Sequence, residues 1–285
     1  MNIRPKLVSS IAELRSALSA ARKAGKRIGL VPTMGALHEG HLSLVRASKQ
    51  DCDCTVVSIY VNPTQFGPQE DFAQYPRTLS QDIEALAGCD VEFVFVPSNE
   101  EMYPSGYCTW VEVGAVAEPL EGQCRPGHFR GVATVVLKLF NIAQPDVAYF
   151  GQKDYQQALV IRSMVRDLNV PVEIRVCPTV REPDGLAMSS RNRYLSPDGR
   201  KQALVLWESL QLAGDIIAQG QCNAETIIAR MRQVILSADG ARIDYIALVD
   251  AETLMPVATI AGRVLAALAV KIENTRLIDN CILEL

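Results

Sequence analysis

Two of the three histidines in this 285-residue chain, His38 and His41, share one segment, PTMGALHEGH at residues 32–41. The segment lies between an apolar stretch and a helix expected to begin near Leu42. Gly35 and Gly40 permit close backbone approach, and the start of the following helix offers unpaired N–H groups and the positive end of its dipole. Such a place suits a phosphate. A neutral imidazole donates one hydrogen bond and a charged one two, so both rings can hold oxygens whose charge grows during phosphoryl chemistry. A polar loop that only caps a helix is an alternative. A metal pair is another, although the spacing is not H-E-x-x-H and no third ligand is near in sequence. Anion binding at a helix start favours phosphate, and spacing alone leaves the other two readings open.

Further segments carry chemistry of the same kind. In Gly151-Gln152-Lys153-Asp154, Lys153 can neutralise a phosphate as a point charge or stand idle in solvent, and Asp154 is placed to cap a helix over 155–168. Gln157, one helical turn beyond Lys153, can reach a substrate in the same pocket. Met188-Ser189-Ser190-Arg191 offers hydroxyls, amides and a guanidinium that can wrap a pyrophosphate, or reads simply as a polar loop between domains. Asn62-Pro63-Thr64-Gln65-Phe66 presents two amides beside a ring. Gln65, both donor and acceptor, can read a hydroxyl and a carboxylate at once, and a plain turn at Pro63 is the alternative. Asp82, just past Tyr75-Pro76-Arg77-Thr78, is either a magnesium ligand or a solvated helix carboxylate. The third histidine lies in Gly127-His128-Phe129-Arg130-Gly131, where Arg130 can clamp an anion or pair with an acid at a subunit contact.

The elements that must position these residues follow from periodicity. Ser10-x-x-Glu13 has the form of a capping box, Ile11, Leu14, Leu18 and Ala21 make a helical stripe, and Gly25 stops it. Short β-rich runs at 28–31, 55–61, 91–96, 147–150 and 172–176 alternate with helical segments. The pattern predicts an α/β fold with a Rossmann-like, doubly wound parallel sheet. Ligands bind beyond the carboxyl ends of such strands, where the segments 32–41, 62–78 and 151–154 lie. Beyond Cys177 a loop to Ser196, helices at 197–219 and 224–237 and strands at 242–249 and 263–270 predict a smaller α+β domain. The expected domains are 1–179 and 180–285, with 178–197 as the candidate hinge.

Composition narrows the classes. The chain is 48% hydrophobic, enough for a sizeable core, and 28 Lys and Arg stand against 32 Asp and Glu, a formal charge of -4. No global field draws it to nucleic acid or to an anionic membrane. No apolar run approaches the roughly 20 residues of a membrane span, and the N-terminal residues lack the apolar stretch of a secretory signal, so the cytoplasm is expected. Eight cysteines without a C-x-x-C pair are expected to be reduced, incidental thiols.

The segments PTMGALHEGH, VNPTQF, YPRT, RPGHFRGV, FGQKD and MSSRN follow one another here as they do in the pantothenate synthetase family, which the chain resembles over residues 28–195. In the wider nucleotidyltransferase superfamily that this resembles, an H-x-G-H element and a K-M-S-K-S-like loop bind ATP. His38-Glu39-Gly40-His41 matches the first, and Met188 to Arg191 stands in for the second with an arginine and no flanking lysine. The resemblance implies an ATP-dependent ligase in which pantoate carboxylate attacks the α-phosphate, pyrophosphate leaves, and the amine of β-alanine attacks pantoyl adenylate to release AMP. It implies an ATP site of Met34, Gly35, His38, Gly40, His41, Gly151, Gln152, Lys153, Asp154, Val180, Met188, Ser189, Ser190 and Arg191. His41 would be the proton donor, with His38 and Lys153 as further catalytic groups. Gln65, Gln157 and Asn62 would bind pantoate, Gln65 also lying near β-alanine, Asp82 would hold Mg2+, and the protein would be a homodimer. Because the adenylate must be kept from water, the second domain is expected to close over the nucleotide. A nucleotidyltransferase that stops at a dinucleotide-like product is opposed by VNPTQF and FGQKDYQQ. A non-catalytic nucleotide-binding module is opposed by the two histidines, Lys153 and MSSR.

Overall fold

The computed structural model describes residues 4–68 and 70–284. The chain divides into two compact units. The first comprises Met1–Ala117, Arg125–Gln152 and Gln156–Pro178, and the second Glu118–Cys124, Lys153–Tyr155 and Thr179–Leu285. Nothing in the sequence pattern signals the two short excursions at 118–124 and 153–155.

The elements in chain order are β1 (Lys6–Val8), α1 (Ile11–Lys23), β2 (Ile28–Thr33), α2 (Glu39–Asp51), β3 (Cys54–Ile59), α3 (Leu79–Ala87), β4 (Phe93–Phe95), α4 (Asn99–Met102), α5 (Glu121–Cys124), α6 (His128–Ala143), β5 (Val147–Gly151), α7 (Tyr155–Asp167) and β6 (Glu173–Cys177). All six strands run parallel in the order β1-β4-β3-β2-β5-β6. Successive strands add outward from β2 to one side through β3 and β4, then the chain returns to pair β5 with β2, Gly29 opposite Val147 and Leu30 opposite Ala148. That reversal creates a topological switch point between β2 and β5, beyond whose carboxyl ends a parallel sheet of this kind binds ligands.

Alternation within the strands explains the two covered faces. Leu30, Val56, Ala148 and Phe150 pack on one side with Leu14 and Leu18 of α1, Val136 and Phe140 of α6 and Ile161 and Met164 of α7. Their neighbours Val31, Val57, Val147 and Tyr149 pack on the other with Leu44 and Val45 of α2 and Leu86 of α3. Each fully buried leucine contributes roughly 1.5–3 kcal/mol, so the stripes of α1 and α2 suffice to seat them. The Ser10 hydroxyl accepts from the Glu13 amide as the capping pattern predicts, and Gly25 follows the helix at φ +71°. The short edge strand β1 lacks a sequence signature because three residues cannot display a period.

The second unit contains α5, α8 (Pro197–Gln202), α9 (Val205–Ala218) and α10 (Ala224–Ile235), and an antiparallel sheet of β7 (Arg242–Asp250), β8 (Arg263–Ile272) and β9 (Thr275–Glu284) in that order. Leu206, Leu210, Ile227 and Met231 of α9 and α10 cover Leu248, Ala266, Leu268 and Leu277 of the sheet. The helix expected over 197–219 is broken into α8 and α9. Among the described residues no helix is long and apolar enough to cross a membrane, and all eight cysteines are free.

One contact in the first unit fixes a loop to a helix. A Cβ at Gly131 in α6 would lie 2.3 Å from the carbonyl oxygen and 2.6 Å from the carbonyl carbon of Thr64, so only glycine lets the helix lie flush on the turn Pro63–Gln65. Gly131→Ala must therefore push rigid backbone apart. We expect a loss of about 1–3 kcal/mol, read from denaturant midpoints. An unchanged midpoint would mean that helix and turn separate freely.

Candidate active site

The loop at the end of β2 is shaped by a buried acid. Gly35 and Ala36 both adopt left-handed backbone, φ +81° and +51°, a conformation that costs a non-glycine residue energy unless it is held. Asp82 holds it. Its carboxylate, 2% exposed on α3, accepts the amides of Ala36 at 3.1 Å and Leu37 at 2.8 Å and the Thr78 hydroxyl at 3.2 Å. The Thr33 hydroxyl accepts the Gly35 amide at 3.2 Å and donates to the Ser58 carbonyl at 2.7 Å, which ties the loop to β3.

Helix α2 begins at Glu39 and not near Leu42, because His38 takes the extended N-cap conformation and places His41 in the first turn. The two rings lie in contact, centroids 4.1 Å apart and tilted 42° to each other. The His38 amide donates to Nδ1 of His41 at 3.3 Å. An amide can only donate, so Nδ1 carries the lone pair and the proton of neutral His41 sits on Nε2. Among the described residues nothing accepts from the amides of Glu39 and Gly40. The loop amides of Ala36 and Leu37 are committed to Asp82, so the helix start offers an anion the amides of Glu39 and Gly40.

The turn after β3 meets this loop directly. Gln65 is 9% exposed, and its amide nitrogen lies 3.2 Å from the Met34 sulfur while its amide oxygen accepts from Asn62 at 3.1 Å. Asn62, 1% exposed, also donates to the Gly131 carbonyl at 3.3 Å, and its oxygen accepts from the Thr64 amide, the Thr64 hydroxyl and the Tyr103 hydroxyl. Every polar group of that side chain is spent. Asn62 thus orients Gln65, with the donor end of Gln65 turned to the loop.

Asp82 does not fit as a magnesium ligand, since both its oxygens already receive protein donors and Mg2+ demands near-ideal octahedral oxygen geometry. Among the described residues no three His, Cys, Asp or Glu side chains converge on a metal position. Arg130 lies with its guanidinium 5.1 Å over the Trp110 ring, and among the described residues it is a different arginine of the segment that clamps an acid. The arginine that does so is Arg125, a residue sequence reasoning passed over although it opens the RPGHFRGV segment. It grips Glu70 through two nitrogens at 2.7 and 2.6 Å. Burial raises the Glu70 carboxyl, but these bonds overcome it and hold the group below its ordinary value. Gly151 and Gln152 stand at the end of β5, across the switch point, and Gln157 is half-buried on α7.

The second unit holds the remaining candidates. The Lys153 carbonyl accepts from the Asn280 amide of β9 at 2.8 Å, and its ammonium lies 3.8 Å from Asp154. Residues 180–188 fold back as a tight hairpin, with the Met188 amide donating to the Val180 carbonyl and the Gly185 amide to Glu182. Arg181 anchors the hairpin. It binds both oxygens of Asp279 at 2.6 and 3.0 Å and lies 3.7 Å over the Trp207 ring. Burial pushes the Asp279 carboxyl up against the pull of Arg181. Ser189 caps a 3-10 turn, Ser190–Tyr194, by accepting the Arg191 amide at 3.3 Å. The stretch expected as an open loop is therefore largely hydrogen-bonded.

A parallel sheet whose switch point carries a glycine-bearing, two-histidine helix start defines a class of α/β protein built to receive an anionic group such as phosphate. The chain belongs to the pantoate-beta-alanine ligase family, whose sequence model matches residues 6–282. It is 60% identical over 278 residues to a pantothenate synthetase of Moorella thermoacetica, covering 98% of each chain. The crystal structure of pantothenate synthetase from Thermus thermophilus superposes with a TM-score of 0.93 at 46% identity, over 97% of this chain and 98% of that one. A Francisella tularensis pantoate-beta-alanine ligase complexed with beta-gamma ATP and beta-alanine matches with a TM-score of 0.82 at 38% identity, over 98% and 97%.

The role of Asp82 can be separated from metal binding. Asp82→Asn replaces one acceptor with a donor that faces backbone amides, and should cost about 1–3 kcal/mol of stability. Denaturant melts in the absence of magnesium read that cost. A variant of wild-type stability whose only defect is a raised magnesium requirement would restore the ligand assignment.

Proposed function

We propose that this chain condenses pantoate with β-alanine, using ATP and releasing AMP and pyrophosphate through a pantoyl-adenylate intermediate. The observation that carries this reading is the 3.2 Å contact between Gln65 and Met34. It sets an amide suited to an acid against the loop suited to phosphates, so a carboxylate held by one can reach an α-phosphate held by the other. The reaction needs no protein nucleophile, since the substrate's carboxylate attacks.

The protein's work is to hold oxygens as charge builds on them. His41, with its proton on Nε2, donates to the phosphates, and His38 and the amides of Glu39 and Gly40 add donors from one rigid helix start. Met34, Gly35, Gly151 and Gln152 would line the nucleotide from the ends of β2 and β5. Lys153, Asp154, Val180 and the residues Met188, Ser189, Ser190 and Arg191 are assigned to ATP on the strength of the matching segments. Gln65 and Gln157 are assigned to pantoate, with Gln65 also near β-alanine. Magnesium is taken to arrive on the ATP phosphates, and no step is assigned to a protein-held ion. The family resemblance supports a cytoplasmic homodimer.

Incubation with ATP, magnesium, pantoate and β-alanine should yield AMP, pyrophosphate and pantothenate in equal amounts. With 18O in the pantoate carboxylate, one labelled oxygen should appear in AMP. AMP formed without amide, or without label, would remove the ligase mechanism. His41→Ala should lower kcat/KM by about 10²–10³-fold while circular dichroism stays that of the folded protein.

A further inference from the structure

We infer that His128, with Arg125 and Glu70, is a positioning device for Gln65 and so sets the affinity for the acid substrate. The inference rests on the assignment of Gln65 to pantoate. Four contacts from residues 125–131, at and just before the start of α6, converge on Asn62 and the turn Pro63–Gln65 that it caps. Gly131 lies against the Thr64 backbone, and its carbonyl accepts from Asn62. Nδ1 of His128 lies 2.8 Å from the Gln65 carbonyl oxygen, and Nη2 of Arg125 lies 3.4 Å from the same oxygen.

A carbonyl can only accept, so His128 carries its proton on Nδ1. Its Nε2 then has a lone pair, and Nη1 of Arg125 lies 3.1 Å from it, as donor. Each ring nitrogen therefore has a defined role, and the ring, 9% exposed, is held in one orientation. Glu70 closes the arrangement by neutralising Arg125 through two hydrogen bonds. The backbone of Gln65 is thus fixed by α6 while its side-chain amide is fixed by Asn62 and Met34. A residue held at both its carbonyl and its amide does not have to be ordered when the substrate arrives.

This makes His128 a positioning residue whose effect must appear more in one substrate than in the other. His128 and Arg125 act on the Gln65 backbone, and the Asp82-held loop meets this device at Met34 against the Gln65 amide, so nucleotide affinity should move far less. His128→Ala leaves the Gln65 carbonyl short of its nearest donor, and we expect the KM for pantoate to rise about 10-fold, with the KM for ATP within about twofold of wild type. His128→Asn places an amide N–H where Nδ1 stood and should restore the pantoate KM to within about threefold. His128→Gln reaches toward Arg125 instead, loses the Gln65 contact and should behave like His128→Ala. Steady-state kinetics on the whole protein, with circular dichroism as a check of folding, reads all three. Should His128→Ala fail to fold, the contrast between Asn and Gln carries the same test. A pantoate KM unchanged in His128→Ala, an ATP KM that rises in parallel, or Asn and Gln variants that behave alike would overturn the inference. Wild-type protein that forms no pantothenate would instead overturn the assignment on which it rests.

Discussion

The carboxylate of Asp82 and the backbone amides of Ala36 and Leu37 form the interaction on which the mouth of the sheet depends. Two successive left-handed residues are a strained way to leave a strand, and one of them is an alanine. A buried anion that accepts two amides offsets the strain, and in doing so it decides which donors remain. The amides of the loop are consumed internally. Among the described residues, those of Glu39 and Gly40 at the helix start are not.

The same logic governs the neighbouring turn. A buried amide such as Asn62 is tolerated only if its polar groups are satisfied, and here they are satisfied by the residues that need orienting. Its N–H group takes the oxygen of Gln65, so Gln65 cannot present its other face to the loop without leaving a buried donor unmatched. Orientation of a side-chain amide, usually a two-fold ambiguity, becomes a property of the fold.

How much of this was legible in the sequence depends on the range over which each signal acts. The Ser10 cap, five of the six parallel strands and the histidine pair were legible because they rest on local pattern. The start of α2 was misplaced by three residues because His38 caps the helix without being a typical cap residue, and only the His38–His41 hydrogen bond reveals it. The bonds of Asn62 to Gly131 and Tyr103, 69 and 41 residues away, lie beyond the reach of local pattern. Arg125 was overshadowed by Arg130 for a similar reason. The two share one short segment, and only their partners, Glu70 for one and the Trp110 ring for the other, tell them apart. Strand β9 was missed because Arg276, Asp279 and Asn280 interrupt its apolar pattern, and Asp279 is buried only by virtue of Arg181.

The thiols bear on the chemistry by what they do not offer. Burial pushes the Cys54 thiol up to about 11 and the Cys281 thiol up to about 12, far from the range in which a thiolate forms at neutral pH. None of the thiols so shifted is activated as a nucleophile, and a reaction in which a substrate carboxylate attacks needs none. Such a reaction asks for neutral and cationic donors fixed before the charge develops. In His41 that fixing comes from its neighbour: the His38 amide occupies Nδ1, so the proton of the neutral ring is held on the opposite side.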